Sequence, residues 1–370
     1  MYEHDDRIVL TLDAGGTNFV FSAMQGCKEI VYPVSIPAVP EDLKKCLAAL
    51  TGGFQVVMKQ LNRLPVAISF AFPGPADYKN GVIGDLPNFP AFRGGVALKA
   101  YLEKKFNLPV FINNDGNLFA YGEAIAGALP EINKMLEKSG SDKRYKNLLG
   151  ITLGTGFGGG VVINNELLAG DNGCGGDLWV FRNYFYKDKI AEESVSIRAV
   201  KRVYKELSND DRCLTPKDIY DIAEGTGEGD QKAAINSFMS LGKAVGDAVA
   251  YALTIVDGIV VMGGGLIGAY KYIIPSLLEV LRSKLFTFSG CSLSRMQMEI
   301  FNLDDPEDLS CFLSLKSTKV SVPAYGTLVA YDLNKYTGVI KTRLSTNVAV
   351  SIGAYVFALN ELDKLGISSF

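Results

Sequence analysis

The chain has 370 residues, more than one hydrophobic core ordinarily supports, so two domains are expected. Its 48% hydrophobic and 21% charged residues are those of an ordinary globular protein, and a net charge of −3 offers no bulk attraction to nucleic acid or an anionic membrane. The single histidine, His4, would have to serve any Ser-His-Asp triad, histidine-bearing zinc site or histidine base, so proton transfer falls to carboxylate, lysine, tyrosine or cysteine.

The first residues, Met1 to Arg7, are polar and acidic, unlike a signal peptide, and no apolar run is long enough to span a bilayer. Cysteines at 27, 46, 174, 213, 291 and 311 form no C-x-x-C pair and read as scattered free thiols. A cytoplasmic location is expected, with small molecules as partners and neither nucleic acid nor membrane.

Residues 8–12 and 19–23 read as strands around Asp13-Ala14-Gly15-Gly16-Thr17-Asn18, a hairpin whose turn holds a carboxylate, two glycines and a hydroxyl. Glycines let backbone N–H groups approach an anion, and Thr17 and Asn18 add side-chain donors. Asp13 suits a hydrated Mg²⁺ carried by a nucleotide phosphate. An ordinary hairpin turn is the plainer alternative. A third strand is expected over 28–36 and a helix over 41–61, broken at Thr51-Gly52-Gly53. Strand 66–71 runs into Phe72-Pro73-Gly74-Pro75, a stiff loop, and 81–95, centred on Leu86-Pro87-Asn88-Phe89-Pro90, reads as a cleft-lining loop. Helix 96–106, strand 110–113 and helix 116–128 follow, then a lysine-rich surface insertion over 130–146.

A second strand–glycine–strand unit begins at 148–153, turns through Gly154-Thr155-Gly156-Phe157-Gly158-Gly159-Gly160 and leaves through 161–166. Its recurrence points to two lobes, each presenting a phosphate loop to a shared cleft. Helices are expected over 194–207, over 216–224 with Thr215 as N-cap, over 231–256 and over 347–365. Residues 257–262 read as a strand before Gly263-Gly264-Gly265, and 269–284 as a helix. The alternation argues for α/β.

Three mechanisms compete for the glycines. A P-loop fails, because no G-x-x-x-x-G-K-S/T string occurs. A dinucleotide fingerprint matches the spacing of Gly154, Gly156 and Gly159, but a strand follows. It also matches Gly263, Gly265 and Gly268 before a helix, without the acidic residue that should end the next strand. An NAD-dependent oxidoreductase therefore stands as one alternative. An actin-like kinase cleft, with two hairpin phosphate loops and a glycine turn beside the adenosine, uses all three clusters and is preferred.

Asn113-Asn114-Asp115-Gly116 stands between a strand and a helix, where α/β sheets place their chemistry. Asp115 suits a general base for a hydroxyl attacking phosphorus, and Asn114 suits neighbouring hydroxyls. Both types are also common helix N-caps, the alternative role.

In the order Asp13-Ala14-Gly15-Gly16-Thr17, Pro73-Gly74-Pro75, Asn114-Asp115-Gly116-Asn117, Leu153 to Gly160 and Met262-Gly263-Gly264-Gly265, the chain resembles the ROK family of sugar kinases, repressors and related proteins, from about Ile8 to the last helix. The resemblance implies a two-lobed actin-like (ribonuclease H-like) α/β fold with its active site in the interlobe cleft. The small lobe would be 1–125 plus 350–370 and the large lobe 126–349. The implied activity is a glucokinase-like transfer of the γ-phosphate of Mg-ATP to a hydroxyl of a hexose or N-acetylhexosamine, with Asp115 as base. Nucleotide contacts would come from Asp13, Gly15, Gly16, Thr17, Asn18, Gly154, Thr155, Gly156, Gly263, Gly264 and Gly265, with Asp13 reaching magnesium through water. Sugar contacts would come from Gly74, Asn88, Asn114, Asp177 and Glu192. A homodimer is implied as well.

The chain also departs from the family pattern. Family kinases carry Gly-Glu-Ile-Gly-His and a cysteine-rich zinc motif. Here Gly176-Asp177-Leu178-Trp179-Val180 replaces the glutamate by Asp177 and the histidine by Val180, and Lys189-Ile190-Ala191-Glu192 stands where the cysteine cluster should end. No zinc site is expected, and sugar preference cannot be carried over, because a missing hydrogen-bond partner changes discrimination strongly. Trp179 either offers a face for sugar stacking or is core. Family repressors carry an N-terminal helix-turn-helix, for which the strand starting near Ile8 leaves no room. A non-catalytic sugar-sensing regulator on the kinase fold is the second alternative.

Overall fold

The computed structural model describes residues 2–366 apart from Gly16, Pro75, Pro87, Asn88, Lys316 and Asp332. The chain forms two compact units, one of Met1–Gly127, Gly160–Gly176 and Arg343–Phe370, the other of Ala128–Gly159 and Asp177–Thr342. This division differs from the expected 1–125 plus 350–370 in grouping 160–176 and 343–349 with the first unit.

In the first unit Lys28–Glu29, Asn18–Gln25, Val9–Ala14, Ala67–Ala71 and Val110–Asn113 lie side by side in that order, and Val34–Pro37 also pairs with Asn18–Gln25. The single strand expected over 28–36 is thus two, because Pro33 has no N–H for a ladder and restricts Tyr32 before it. Val9–Ala14, Ala67–Ala71 and Val110–Asn113 are parallel, and their register puts Asp13, Ala71 and Asn113 in one row at the C-terminal ends. That edge is where α/β sheets carry their chemistry.

Helix Leu43–Met58 covers one face of this sheet, with the Phe54 ring 5.0 Å from that of Phe21 and 6.2 Å from that of Phe70. The break expected at Thr51-Gly52-Gly53 does not occur. Gly53 gives up its side chain so that the Phe21 ring can lie against the helix, and a Cβ there would overlap that ring.

Residues alternate across a strand, so Ala71 faces away from Phe70, toward helices Asp115–Ile125 and Thr346–Lys364, and clusters there with Leu118 and Ala354. The two helices touch backbone to backbone. A Cβ on Gly353 would overlap the Leu118 carbonyl, and one on Gly122 the Ala349 carbonyl. The fully buried Glu123 accepts the backbone N–H groups of Arg343 (3.1 Å) and Leu344 (3.2 Å), fixing the chain's return into the last helix.

In the second unit Leu148–Leu153, Ile259–Gly263, Tyr336–Lys341 and Glu299–Asn302 form a parallel array, with Phe157–Ile163 beside Leu148–Leu153. Helix Gln231–Val256, starting and ending where its pattern predicts, is long and apolar enough to cross a membrane, but it is mostly buried against Tyr270–Leu281 as a core helix. Helices Ile197–Ser208 and Pro216–Ala223 also form as expected, the second behind a Thr215–Asp218 capping box.

The expected surface insertion over 130–146 is corrected. Ala128–Lys138 is a helix that buries Ala128, Leu129, Ile132 and Leu136 on one stripe and turns its lysines outward. Residues beyond 284 add elements the sequence pattern did not reveal: hairpins Lys284–Phe286 with Ser292–Ser294 and Thr318–Ser321 with Leu328–Tyr331, and helix Pro306–Ser314.

Neighbouring glycines in helix Leu43–Met58 should respond oppositely. Gly52 has nothing within 4 Å of an added Cβ, so Gly52→Ala should gain about 0.5–1 kcal/mol from helix propensity. Gly53→Ala should lose about 1–3 kcal/mol by overpacking Phe21. Urea midpoints of the two variants against the parent check both signs.

Candidate active site

In the first unit Ala14 pairs with Phe19, leaving 15–18 as the turn. A Cβ on Gly15 would sit 2.8 Å from the Asn18 carbonyl oxygen, so only glycine keeps the turn this tight. The Ala38 N–H donates to the Thr17 carbonyl at 3.0 Å and ties the turn down, while the Thr17 and Asn18 side chains are exposed. Gly16 lies outside the described residues.

Asp13 opens to solvent at the end of its strand. Desolvation by the surrounding protein raises its carboxyl above the ordinary carboxylate range, and the charge of Asp115 adds to the shift. Two strand ends, separated by Ala67–Ala71, therefore bring two carboxylates within electrostatic reach.

The residues before Asp115 settle its role as a cap. Asn114 is extended (φ −80, ψ 160), and its Oδ1 accepts the Asn117 N–H at 2.6 Å, so Asn114 caps helix Asp115–Ile125. Buried Asn113 braces this turn: its Oδ1 accepts the Asn114 N–H (2.9 Å) and Asn117 Nδ2–H (3.0 Å). Asp115 is left exposed at the first helical position, with Oδ1 accepting the Gly116 N–H at 2.9 Å. Gly74 follows the neighbouring strand end, where a Cβ would lie 2.6 Å from the Tyr78 hydroxyl, itself donated to the Phe72 carbonyl at 3.0 Å. Asn88 lies outside the described residues.

Asp13, with the charge of Asp115 near it, suits a hydrated magnesium. That cation takes one or two carboxylates plus phosphate oxygens and keeps its waters, and two like charges sharing a strand edge are relieved by it.

In the second unit the strand resumes at Phe157, so the turn is Gly154–Gly156 and not all of 154–160. The glycine run continues into the strand because Gly160, in the first unit, must lie against helix Asp115–Ile125, where a Cβ would stand 2.8 Å from the Asn117 Cα. Thr155 is exposed, and Gly154 has open space around it.

Register pairs Thr152 with Gly263. Gly264 adopts φ +94, and a Cβ there would overlap the Leu153 backbone, so the second glycine cluster sits directly on the residue preceding Gly154. Gly265 is open and begins a 3₁₀ segment, Gly265–Ala269, ahead of helix Tyr270–Leu281. A dinucleotide fingerprint opens an α-helix directly from its glycines, so the oxidoreductase reading fails here on local structure.

Residues 177–194 are the stretch where the sequence departs from the family pattern. Asp177 is half-buried at the start of the 3₁₀ turn Leu178–Val180. Leu178 is the core residue there, and Trp179 is 39% exposed, which removes the alternative that Trp179 is core. Buried Asn183 holds the segment together. Its Nδ2 donates to the Ile190 carbonyl and to Ser194 Oγ, both at 2.9 Å, and its Oδ1 accepts the Phe185 and Tyr186 N–H groups at 2.9 and 3.2 Å.

Zinc does not fit. Val180 stands at the histidine position, and among the described residues no group of three or more His, Cys, Asp or Glu is placed to hold a metal ion. Glu192 lies against the glycine turn at 154–156, with Oε2 accepting the Phe157 N–H at 3.0 Å. Sequence reasoning missed Asn183 and this bond; the only signal for the former was a small polar residue inside the aromatic run 181–186.

Parallel strands with glycine turns and a carboxylate at their C-terminal ends, in two units, make this the fold of the actin-like sugar kinases. The structure matches a glucokinase from Parabacteroides distasonis ATCC 8503 with a TM-score of 0.90 and 56% identity, covering 98% of this chain and 100% of that one. The ROK family pattern matches residues 9–298, and the chain belongs to the ROK family.

Among curated relatives, the xylose repressor of Bacillus spizizenii is 26% identical over 258 residues, 68% of this chain and 62% of that protein. The glucokinase of Thermotoga maritima is 29% identical over 170 residues, 46% of this chain and 49% of that protein. The matched regions span less than two thirds of the length of either curated relative.

Asn183→Ala strips partners from several buried polar groups at once. It should lower unfolding free energy by about 2–4 kcal/mol, read from thermal or urea unfolding. Chelator added to the nucleotide-free protein should leave the unfolding midpoint unchanged, since the Asn183 hydrogen bonds tie 177–194 together through protein groups alone.

Proposed function

We propose that the protein is an ATP-dependent sugar kinase that transfers the γ-phosphoryl group of Mg-ATP to a hydroxyl of a hexose or N-acetylhexosamine. Glucose is the first acceptor to try, because the relative at 56% identity is a glucokinase. The observation that carries the reading is Asp115 itself: exposed after a strand end, excused from capping by Asn114, and near enough to Asp13 for its charge to help raise that carboxyl.

Asp115 acts as the general base. Its Oδ1 is held by the Gly116 N–H, so Oδ2 is the atom that takes the proton of the attacking hydroxyl. The Asn114 Oδ1 is engaged in the cap, which leaves its Nδ2–H₂ as a donor to a sugar oxygen. Gly74, Asn88 and Asp177 are the remaining sugar-side candidates.

Gly15, Gly16, Thr17 and Asn18 from the first unit, and Thr155 and Gly156 from the second, supply backbone and hydroxyl donors for phosphate, while Gly154, whose N–H donates to the Gly156 carbonyl at 3.1 Å, shapes the turn. Gly263, Gly264 and Gly265 supply a flat backbone for the adenosine. Magnesium arrives with the nucleotide, is met by Asp13 through water, and neutralises phosphate charge when bound. We place the enzyme in the cytoplasm, as a homodimer, without nucleic-acid or membrane partners; sedimentation of the purified chain tests the dimer.

ADP release from Mg-ATP, measured with glucose, other hexoses, N-acetylhexosamines and a no-sugar blank, tests the activity. Turnover with a sugar is expected, and Asp115→Asn should lower kcat by about 10²–10⁴ while ATP still binds. Undiminished turnover in that variant would remove Asp115 as the base. Binding of ATP and sugar without turnover would make the protein a sensor.

Asp13 gives a prediction of opposite signs for stability and activity. A raised carboxyl pKa means the folded protein holds that proton more tightly than the unfolded chain. The stability this contributes is full below the unfolded value of about 3.9 and is lost as pH rises through the raised folded value. At neutral pH Asp13→Asn should therefore unfold at an equal or higher temperature than the parent, the gap closing in acid, while turnover with Mg-ATP collapses.

A further inference from the structure

We infer that Glu192 is a positioning residue for the nucleotide, gripping the second phosphate-binding turn through its backbone, in addition to the sugar contact its family position implies. The inference rests on the kinase reading for the turn's function, but the grip itself is a feature of the second unit alone.

Three observations carry it. Glu192 Oε2 accepts the N–H of Phe157, the first residue after the turn, at 3.0 Å. The same oxygen lies 2.5 Å from where a Cβ of Gly156 would be, so glycine at 156 makes room for the carboxylate as well as for a phosphate. A few residues further on, the Ile197 N–H donates to the Gly154 carbonyl at 2.8 Å. One segment thus holds the turn at both ends, through the Phe157 N–H and the Gly154 carbonyl.

The grip is itself anchored. Glu192 lies in the 3₁₀ turn Ala191–Ser194, which Asn183 ties down through Ser194 Oγ and the Ile190 carbonyl. A carboxylate beside a phosphate turn would repel its ligand if its charge were loose. Here Oε1 pairs with Arg198 Nη2 at 3.2 Å, so the negative charge is compensated and aimed at the amide. Fixing Gly156 in this way presets the exposed Thr155 and the turn's N–H groups before nucleotide arrives, which lowers the ordering cost of binding.

The test uses the full-length chain and its Glu192→Ala, Glu192→Gln and Gly156→Ala variants. Equilibrium ATP binding without sugar, KM for ATP, KM for sugar, and hydrogen exchange at the Phe157 amide are measured for each. Glu192→Ala should speed exchange at Phe157 and raise the ATP Kd and KM about tenfold, the loss of one charge-assisted hydrogen bond.

Glu192→Gln keeps an acceptor oxygen and should recover most of that loss. Gly156→Ala should displace the carboxylate and reproduce the ATP defect, and combining it with Glu192→Ala should add little, because both remove one interaction. Unchanged Phe157 exchange in Glu192→Ala would overturn the grip. A rise in sugar KM with ATP affinity unmoved would overturn the nucleotide role and leave Glu192 as a sugar ligand only. If the parent binds ATP but turns over no sugar, the kinase reading fails while the binding and exchange measurements still decide the grip.

Discussion

Helix Asp115–Ile125 can serve as a platform because it has no room to move. Gly122 and Gly353 let it press its backbone against helix Thr346–Lys364, and Gly160 lets a strand press against its first turn beside Gly116 and Asn117. Contacts between backbones are stiffer than contacts between side chains, which can change rotamer. Asp115 stands at the first position of this clamped helix, and the Asn113–Asn114–Asn117 hydrogen bonds complete its seating. A carboxylate placed this way is held at a defined position, which is what the proposed phosphoryl transfer asks of its base.

The same strand edge is electrostatically unfavourable without ligand. Desolvation raises the cost of ionising Asp13, and the charge of Asp115 adds to it. A cation carried by a polyphosphate would offset this charge, in keeping with the proposed magnesium nucleotide.

The parts of the molecule that the sequence exposed are those that obey a local rule. A glycine turn between two apolar runs, a carboxylate after a strand and a 26-residue apolar period each follow from neighbours in the chain, and they located Asp13, Gly154, Gly264 and helix Gln231–Val256. The belonging to the ROK family and the fold followed from the order of those turns.

What was hidden depends on partners distant in sequence. Gly53 reads as a helix breaker until Phe21 is seen against it. The stripe Ala128, Leu129, Ile132, Leu136 is masked by lysines that decorate its other face. Whether Asn114 or Asp115 caps the helix cannot be told from residue type, because both cap well, and only the Asn117 N–H decides it.

Hydrogen bonds around Asn183 couple the parts of residues 177–194 in the second unit. A metal would tie its ligands with strong bonds that depend on ligand protonation and metal supply. Asn183 ties the same stretch with bonds individually weak but buried and mutually dependent, so they break together. Through Ser194 this network reaches the turn that carries Glu192, and through Glu192 the glycine turn at 154–156. A polar side chain that satisfies four backbone and side-chain partners thus holds the segment, and the carboxylate at its end has a defined place to point.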